Sequence, residues 1–189
     1  MTIKLNINQS PEELNEIYYD DYYWYLKSQP FKDAFLKPLG LIIDSLGDYV
    51  LDVGCGEGQL AEFVNATNYV GIDGSEVAIN KAEFFHNRPF ELFFQDRIED
   101  PHVVGLFDTI VFGGLLHVLI AKENHIEFIQ MYIDRYDSNH FIIYDLADLD
   151  TDHIKSEFKM IRTLFARAEV EGLQEIKKRR KIEVYQCKR

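Results

Sequence analysis

The amino-acid sequence predicts an α/β sandwich, with a mainly parallel sheet and helices on both faces. Three observations carry this. Short apolar runs alternate with helix-periodic segments over most of the chain. The first runs end in glycines or acids instead of hairpin turns, as strands of parallel crossover units do. The chain closes on two apolar stretches around a basic turn, the pattern of a hairpin.

In chain order, Pro30 breaks a Tyr- and Asp-rich opening segment, Asn15–Lys27. Phe31 to Leu46 has Phe31, Phe35, Leu39, Ile42, Ile43 and Leu46 on one stripe, a helix with a kink expected at Pro38. Tyr49–Val53 is a buried strand that runs into GCGEG, and Gln59–Asn65 reads as a helix. Asn68–Ile72 is the second strand. Ser75 is the expected N-cap of a helix through Asn87. Glu91–Phe94 and Phe107–Phe112 are the third and fourth strands, Glu123–Tyr136 a helix and His140–Tyr144 the fifth strand. Asp148–Ala168 is expected to be helical. Leu173–Lys177 and Lys181–Cys187 then form the hairpin, with Lys178–Arg180 at its turn.

Composition narrows the function classes. The chain has 189 residues, 47% of them apolar, enough for one domain with its own core and no disulfide staples. Cys55 and Cys187 are too few and too far apart for a disulfide framework. No apolar run is long enough for a membrane span, and Met1–Leu14 lacks the apolar stretch of a signal peptide, so a cytoplasmic protein is expected. Residues 1–150 carry 9 Lys/Arg against 26 Asp/Glu, whereas residues 151–189 carry 11 against 6. An acidic body repels phosphate backbones, so nucleic acid is not the expected partner. The run Lys177–Lys181 (KKRRK) is read as a solvated hairpin tip or, failing that, a contact for an anionic partner.

In open parallel sheets, ligands bind outside the carboxyl ends of the strands. After the first strand stands Asp52-Val53-Gly54-Cys55-Gly56-Glu57-Gly58, whose alternating glycines let the backbone turn tightly and touch a ligand. The spacing departs from the dinucleotide pattern G-x-G-x-x-G, and Asp52 and Glu57 would repel a pyrophosphate. A cationic or zwitterionic nucleoside suits these charges. Asp73, after the second strand, can accept two hydrogen bonds from a ribose diol. Asp96, after the third, can accept from an adenine amine or belong to a solvated turn. Gly113 and Gly114 follow the fourth strand. His117 beyond them is either a packed imidazole or a base that titrates near neutrality.

These segments together resemble the class I S-adenosylmethionine-dependent methyltransferases. The matching stretches are VLDVGCGEGQLAEFV (Val50–Val64), YVGIDGSEVAINKA (Tyr69–Ala82), FFQDRIED (Phe93–Asp100), FDTIVFGGLLHVL (Phe107–Leu119) and FIIYDLAD (Phe141–Asp148). The resemblance implies a three-layer Rossmann-like methyltransferase fold: a mainly parallel seven-stranded sheet with its last strand antiparallel. It implies S-adenosylmethionine as cofactor. Asp52, Gly54, Cys55 and Gly56 would line its methionine part, and Asp73 would hold the ribose with Gly74 and Ser75 beside it. Asp96 would meet the adenine amine, Arg97 or Ile98 the ring, and Phe112 and Gly113 would offer backbone near the sulfonium. His117 stands where some small-molecule members place a base. No metal is expected.

The acceptor expected is a small molecule, methylated at oxygen or nitrogen. No N/D-P-P-Y motif follows the fourth strand, where the sequence is FGGL, and no zinc cluster is present. Residues 1–30 are expected to form an aromatic, acidic arm or lid on a methyltransferase domain spanning 31–189. Tyr18, Tyr22 and Trp24 are its candidate substrate contacts, by stacking or cation–π contact with an amine or sugar. The same segment could instead be the apolar face of an N-terminal helix. Alternative functions are RNA or protein methylation, and a non-catalytic module that binds the cofactor to regulate a partner.

Overall fold

A computed structural model of the chain describes residues 15–16, 27–116, 122–146, 148–167 and 179–187. Its strands are β1 (Tyr49–Val53), β2 (Asn68–Asp73), β3 (Glu91–Gln95), β4 (Thr109–Gly113), β5 (His140–Leu146), β6 (Lys159–Arg167) and β7 (Arg179–Gln186). They form one sheet in the order β3-β2-β1-β4-β5-β7-β6. All neighbouring pairs from β3 to β5 are parallel, and β7 is antiparallel to both β5 and β6. This is the seven-stranded, mainly parallel sandwich expected, with the last strand reversed.

The central strands have both faces covered, which is why they read as continuous apolar runs. On one face Leu51, Val53, Ile72, Ile110, Phe112 and Phe141 pack with Phe128, Ile129 and Tyr132 of α4 (His125–Tyr136). On the other, Val50, Tyr69, Val111, Ile142 and Val184 pack with Phe31, Phe35, Leu39 and Ile43, and with Ile79 and Ala82 of α3 (Glu76–Phe85). Ser75 caps α3 as expected, its hydroxyl accepting from the Ala78 amide at 3.2 Å.

The N-terminal helix carries its irregularity at the expected proline. It divides into α1 (Gln29–Phe31), a π-helical turn (Lys32–Leu36) and α2 (Lys37–Asp44). Pro38 has no N–H to donate back along the helix. The turn before it widens, and the Lys37 N–H bonds to the Lys32 carbonyl, one residue further back than in an α-helix.

Three expectations are corrected. The stretch Gln59–Asn65 forms only a 3-10 turn at Ala61–Phe63. Its carbonyls at Ala61 and Val64 accept from the Arg88 guanidinium, and Asp44 accepts from the Asn65 backbone and side-chain amides, both at 2.8 Å. Those contacts end the turn where a helix would have continued. The expected helix Asp148–Ala168 stops early: α5 covers Asp152–Glu157 and β6 takes the rest. β6 exists because β7 pairs with it along its length, and an irregularity between Met160 and Arg162 breaks the alternation that would have revealed a strand. The closing hairpin is therefore β6–β7, and Arg179, Arg180 and Lys181 lie in a strand and not at a turn. Leu173–Lys177 lies outside the described residues.

No helix bridges β3 and β4. The connection 96–108 runs as a loop across the face that a helix would cover. It buries Ile98 and Phe107. Tyr132 and Tyr136 of α4 pin it, donating to the carbonyls of Ile98 (2.7 Å) and Val103 (3.1 Å). The consequence is that Leu92 and Phe94 of β3 stay partly exposed.

Helix α2 approaches the 3-10 turn at Gly40, where an added Cβ would lie 2.1 Å from the Phe63 carbonyl oxygen. Helix propensity alone favours alanine over glycine by about 1 kcal/mol. We expect the backbone clash to win, so that Gly40→Ala lowers unfolding stability by about 1–3 kcal/mol. Urea denaturation checks the sign.

Candidate functional site

The carboxyl ends of β1, β2, β3 and β4 meet at one edge of the sheet. There β1 passes into the loop Gly54–Gly58. Gly54, Gly56 and Gly58 have φ of 73°, 55° and 77°, a left-handed conformation that side-chain-bearing residues rarely adopt. The amides of Gly54 and Cys55 both donate to the Ile72 carbonyl, at 2.8 and 3.0 Å, which folds the loop back onto the end of β2.

Asp73 completes that junction. One carboxylate oxygen accepts from the Gly56 amide at 3.0 Å and the other from the Ser75 amide at 2.9 Å. The side chain is thus held between the glycine loop and the start of α3. Asn15 reaches the same helix end, its side-chain oxygen accepting from the Ser75 hydroxyl at 2.7 Å. Gly74 lies between, its carbonyl within 3.4 Å of the Gln95 amide.

Asp52 lies beneath the loop, 4% exposed, and accepts from the Tyr69 hydroxyl. Burial pushes its carboxyl up to about 7; the Tyr69 hydrogen bond opposes this and the neighbouring Asp73 charge adds to it. Burial and the same two acids push the Cys55 thiol well above its ordinary value, so Cys55 is a packing residue and no thiolate.

Glu57, also 4% exposed, joins three parts of the chain. It pairs with Lys27, ahead of α1, at 2.7 Å and with Lys81 of α3 at 2.9 Å. Sequence reading registered Glu57 only as an acid that repels phosphate. It also missed Asn15 and Tyr69, whose partners are set by tertiary contact.

Asp96 turns inward on its own loop. It accepts from the amides of Arg97 (2.8 Å), His102 (2.6 Å) and Val103 (2.9 Å), and its remaining contact is the His102 ring nitrogen at 3.0 Å. Although burial opposes it, these bonds hold the carboxyl below its ordinary value. They take up about four acceptor positions, the capacity of a carboxylate. Arg97 is exposed and paired with Glu99, and Ile98 is buried in the core.

At the end of β4 the Phe112 ring is fully buried against Phe128, Tyr132 and Phe141. Only the backbone of Phe112 and Gly113 reaches the edge. Gly114 has φ of 68° and its amide donates to Tyr144 at 2.8 Å; a Cβ there would meet nothing within 4 Å. The chain leaves this edge through Leu116, whose carbonyl accepts from His125 Nε2 at 2.9 Å. The other His125 nitrogen lies 3.1 Å from His153 Nε2. His117, Tyr18, Tyr22 and Trp24 lie outside the described residues. Among the described residues no group of His, Cys, Asp or Glu could hold a metal ion, and no helix is long and apolar enough to cross a membrane.

Comparison with known proteins bears on the whole of this arrangement. The family profile described as "Methyltransferase domain" matches residues 26–173. No sequence among the curated proteins compared matches the chain. Among solved structures, it resembles the N-methyltransferase NodS from Bradyrhizobium japonicum WM9 in complex with S-adenosyl-L-homocysteine, at TM-score 0.74 and 16% identity, covering 94% of this chain and 98% of that one. It also resembles the magnesium protoporphyrin IX methyltransferase from Synechocystis PCC 6803 with bound S-adenosylhomocysteine, at TM-score 0.66, 16% identity and coverages of 94% and 97%. A third likeness is to a putative RNA methyltransferase from Pyrococcus horikoshii, at TM-score 0.61, 12% identity and coverages of 80% and 81%.

The Asp52 environment generates a pH prediction. Its carboxyl titrates near 7 in the folded chain and near 3.9 when unfolded. Between those values the native state holds the extra proton, so this group's contribution to stability is full below about pH 4 and is lost as pH rises through 7. Asp52→Asn, which cannot ionise, should flatten that part of the stability–pH curve. Thermal melts of both proteins from pH 4 to 8 measure it.

Proposed function

The chain belongs to the methyltransferase-domain family of class I, S-adenosylmethionine-dependent enzymes, and from that premise we propose that it methylates oxygen or nitrogen of a small-molecule acceptor. The observation that carries the cofactor assignment is the locked Asp73 carboxylate, tied to the glycine loop through Gly56 and to α3 through Ser75.

The residues present fit S-adenosylmethionine. The positive-φ loop presents backbone without side chains, and Asp73 offers an oriented acceptor for ribose hydroxyls. Asp73 would hold the ribose, with Gly74 and Ser75 beside it. Gly54, Cys55 and Gly56 would line the methionine part by their backbone, with Asp52 below. Phe112 and Gly113 would border the sulfonium by their backbone. We assign the adenine side to the loop that follows β3. Asp96 shapes that loop from within, Ile98 anchors it in the core and Arg97 stands at its surface. When bound, the cofactor supplies a methyl group already activated as a sulfonium.

What remains for the protein is to orient the acceptor, exclude water and remove a proton. Gly114, beside the end of β4, leaves space for an acceptor to lie against the backbone. His117 is the proposed base. It follows Leu116, the residue that His125 fixes at this edge. An imidazole base would accept the acceptor's proton as its oxygen or nitrogen takes the methyl group. Residues 1–30 are proposed to border the acceptor. Their anchors support this: Asn15 at the start of α3 and Lys27 on Glu57. Tyr18, Tyr22 and Trp24 stand between those anchors in sequence.

The small-molecule reading rests on the net charge of −12, which disfavours a polyanionic acceptor. Likeness to a putative RNA methyltransferase keeps RNA as the competing acceptor.

Calorimetry with S-adenosylhomocysteine tests the cofactor site. The wild-type chain is expected to bind, and Asp73→Ala to weaken binding by about a hundredfold or more, the scale of one lost pair of charge-assisted hydrogen bonds. No binding by the wild type at millimolar ligand would overturn the assignment. Transfer of labelled methyl to a small-acceptor panel and to RNA then separates the acceptor classes, and labelled RNA alone would overturn the small-molecule reading. His117→Ala should lower turnover by about a hundredfold while cofactor binding is kept.

A further inference from the structure

Within the basic run Lys177–Lys181, the described side chains of Arg180 and Lys181 have different surroundings. Lys181 is 4% exposed and spoken for. Its ammonium donates to the Leu149 carbonyl at 2.6 Å and the Thr151 hydroxyl at 2.8 Å, and lies 3.4 Å from buried Glu183. Arg180, one residue earlier on the opposite face of β7, is different. Its guanidinium lies 6.0 Å from the centre of the Phe31 ring and 5.8 Å from that of Tyr144. It makes no ion pair with an acid among the described residues.

The position of Arg180 gives this meaning. It pairs with Leu146 at the end of β5, and Tyr144, two residues earlier in β5, pairs with Gly113. Arg180 therefore stands at the same carboxyl edge as Gly113 and Gly114, one strand beyond β5. Phe31 is buried and follows, by four residues, the Lys27 that is clamped to Glu57 of the glycine loop. Two buried rings hold the guanidinium over the side of the sheet that the N-terminal helix covers. Cation–π contact positions the charge without neutralising it, since a ring supplies no counter-ion. The fork of a guanidinium matches the two oxygens of a carboxylate or phosphate.

We propose that Arg180 is a specificity residue that binds a carboxylate or phosphate group of a small acceptor and so selects anionic acceptors. This deepens the small-molecule reading above and rests on it. It also reconciles an acidic body with an anionic substrate: the body repels extended polyanions, while one fixed guanidinium beside the site admits a single negative group.

The test uses the full chain saturated with S-adenosylhomocysteine and four probes: benzoate, phenyl phosphate, neutral benzamide and a short RNA oligomer. The side-chain Nε–H resonance of Arg180, assigned by its loss in Arg180→Lys, reports contact. Benzoate or phenyl phosphate is expected to shift it, and benzamide to leave it unmoved. The comparison of the two anions tells carboxylate from phosphate recognition. Arg180→Ala should weaken anion binding about tenfold or more, while Arg180→Lys keeps part of it, because the charge remains and the fork is lost. Cofactor affinity should stay unchanged in both. Equal response to benzoate and benzamide, or anion binding that survives Arg180→Ala, would overturn the proposal. Tighter, Arg180-dependent binding of the RNA oligomer would overturn the small-acceptor part. Failure of the wild type to bind S-adenosylhomocysteine would instead overturn the site assignment on which the proposal rests.

Discussion

The hydrogen bonds from the Gly56 and Ser75 amides to the Asp73 carboxylate organise the site. They join the exits of two adjacent parallel strands through one side chain. Hydrogen bonds to a charged acceptor contribute about 1.5–3 kcal/mol each, more than neutral ones. The loop they hold is built of conformations that only glycine adopts without cost, so it needs an external partner to keep one shape. Asp73 is that partner. Parallel pairing of β1 with β2 brings it there, because Val53 and Ile72 are in register and Asp73 is the next residue.

Electrostatics extends the same arrangement outward. Asp52, Glu57 and Asp73 are all buried within one short loop and its neighbour. Each is handled differently. Asp52 is pushed toward its neutral form and bonded by Tyr69. Glu57 has two lysine partners, which brings the N-terminal segment and α3 onto the loop. Asp73 is satisfied by backbone amides. A buried acid without such handling would cost several kcal/mol. The loop is consequently a junction of four segments of the chain.

The sheet was legible because each central strand is a continuous buried run that ends in glycine or acid. The glycine loop and Asp73 were legible for the same reason: both stand where a buried strand ends. Other parts could not be read. β6 hid because an irregularity at Met160–Arg162 breaks its alternation and its partner lies far along the chain. Arg180 and Lys181 look alike in sequence, yet one is buried among oxygens and the other stacked on rings, a difference set by which face of β7 each occupies. Asp96 stands where an adenine acceptor was expected, and there three backbone amides of its own loop and the His102 ring contact its oxygens. Glu57 and Tyr69 carry no local signal, since their partners come from other elements.

The central claim is that the β1 loop and the end of β2 form a cofactor cradle held by Asp73. Amide hydrogen exchange with and without S-adenosylhomocysteine tests it most directly, because it reads the backbone of the loop itself. The account predicts slowed exchange at Gly54–Gly58 and at Asp73–Ser75 on ligand binding, with the interior of β7 unaffected. Ligand binding that leaves those amides unchanged, or protects a different part of the sheet edge, would contradict it.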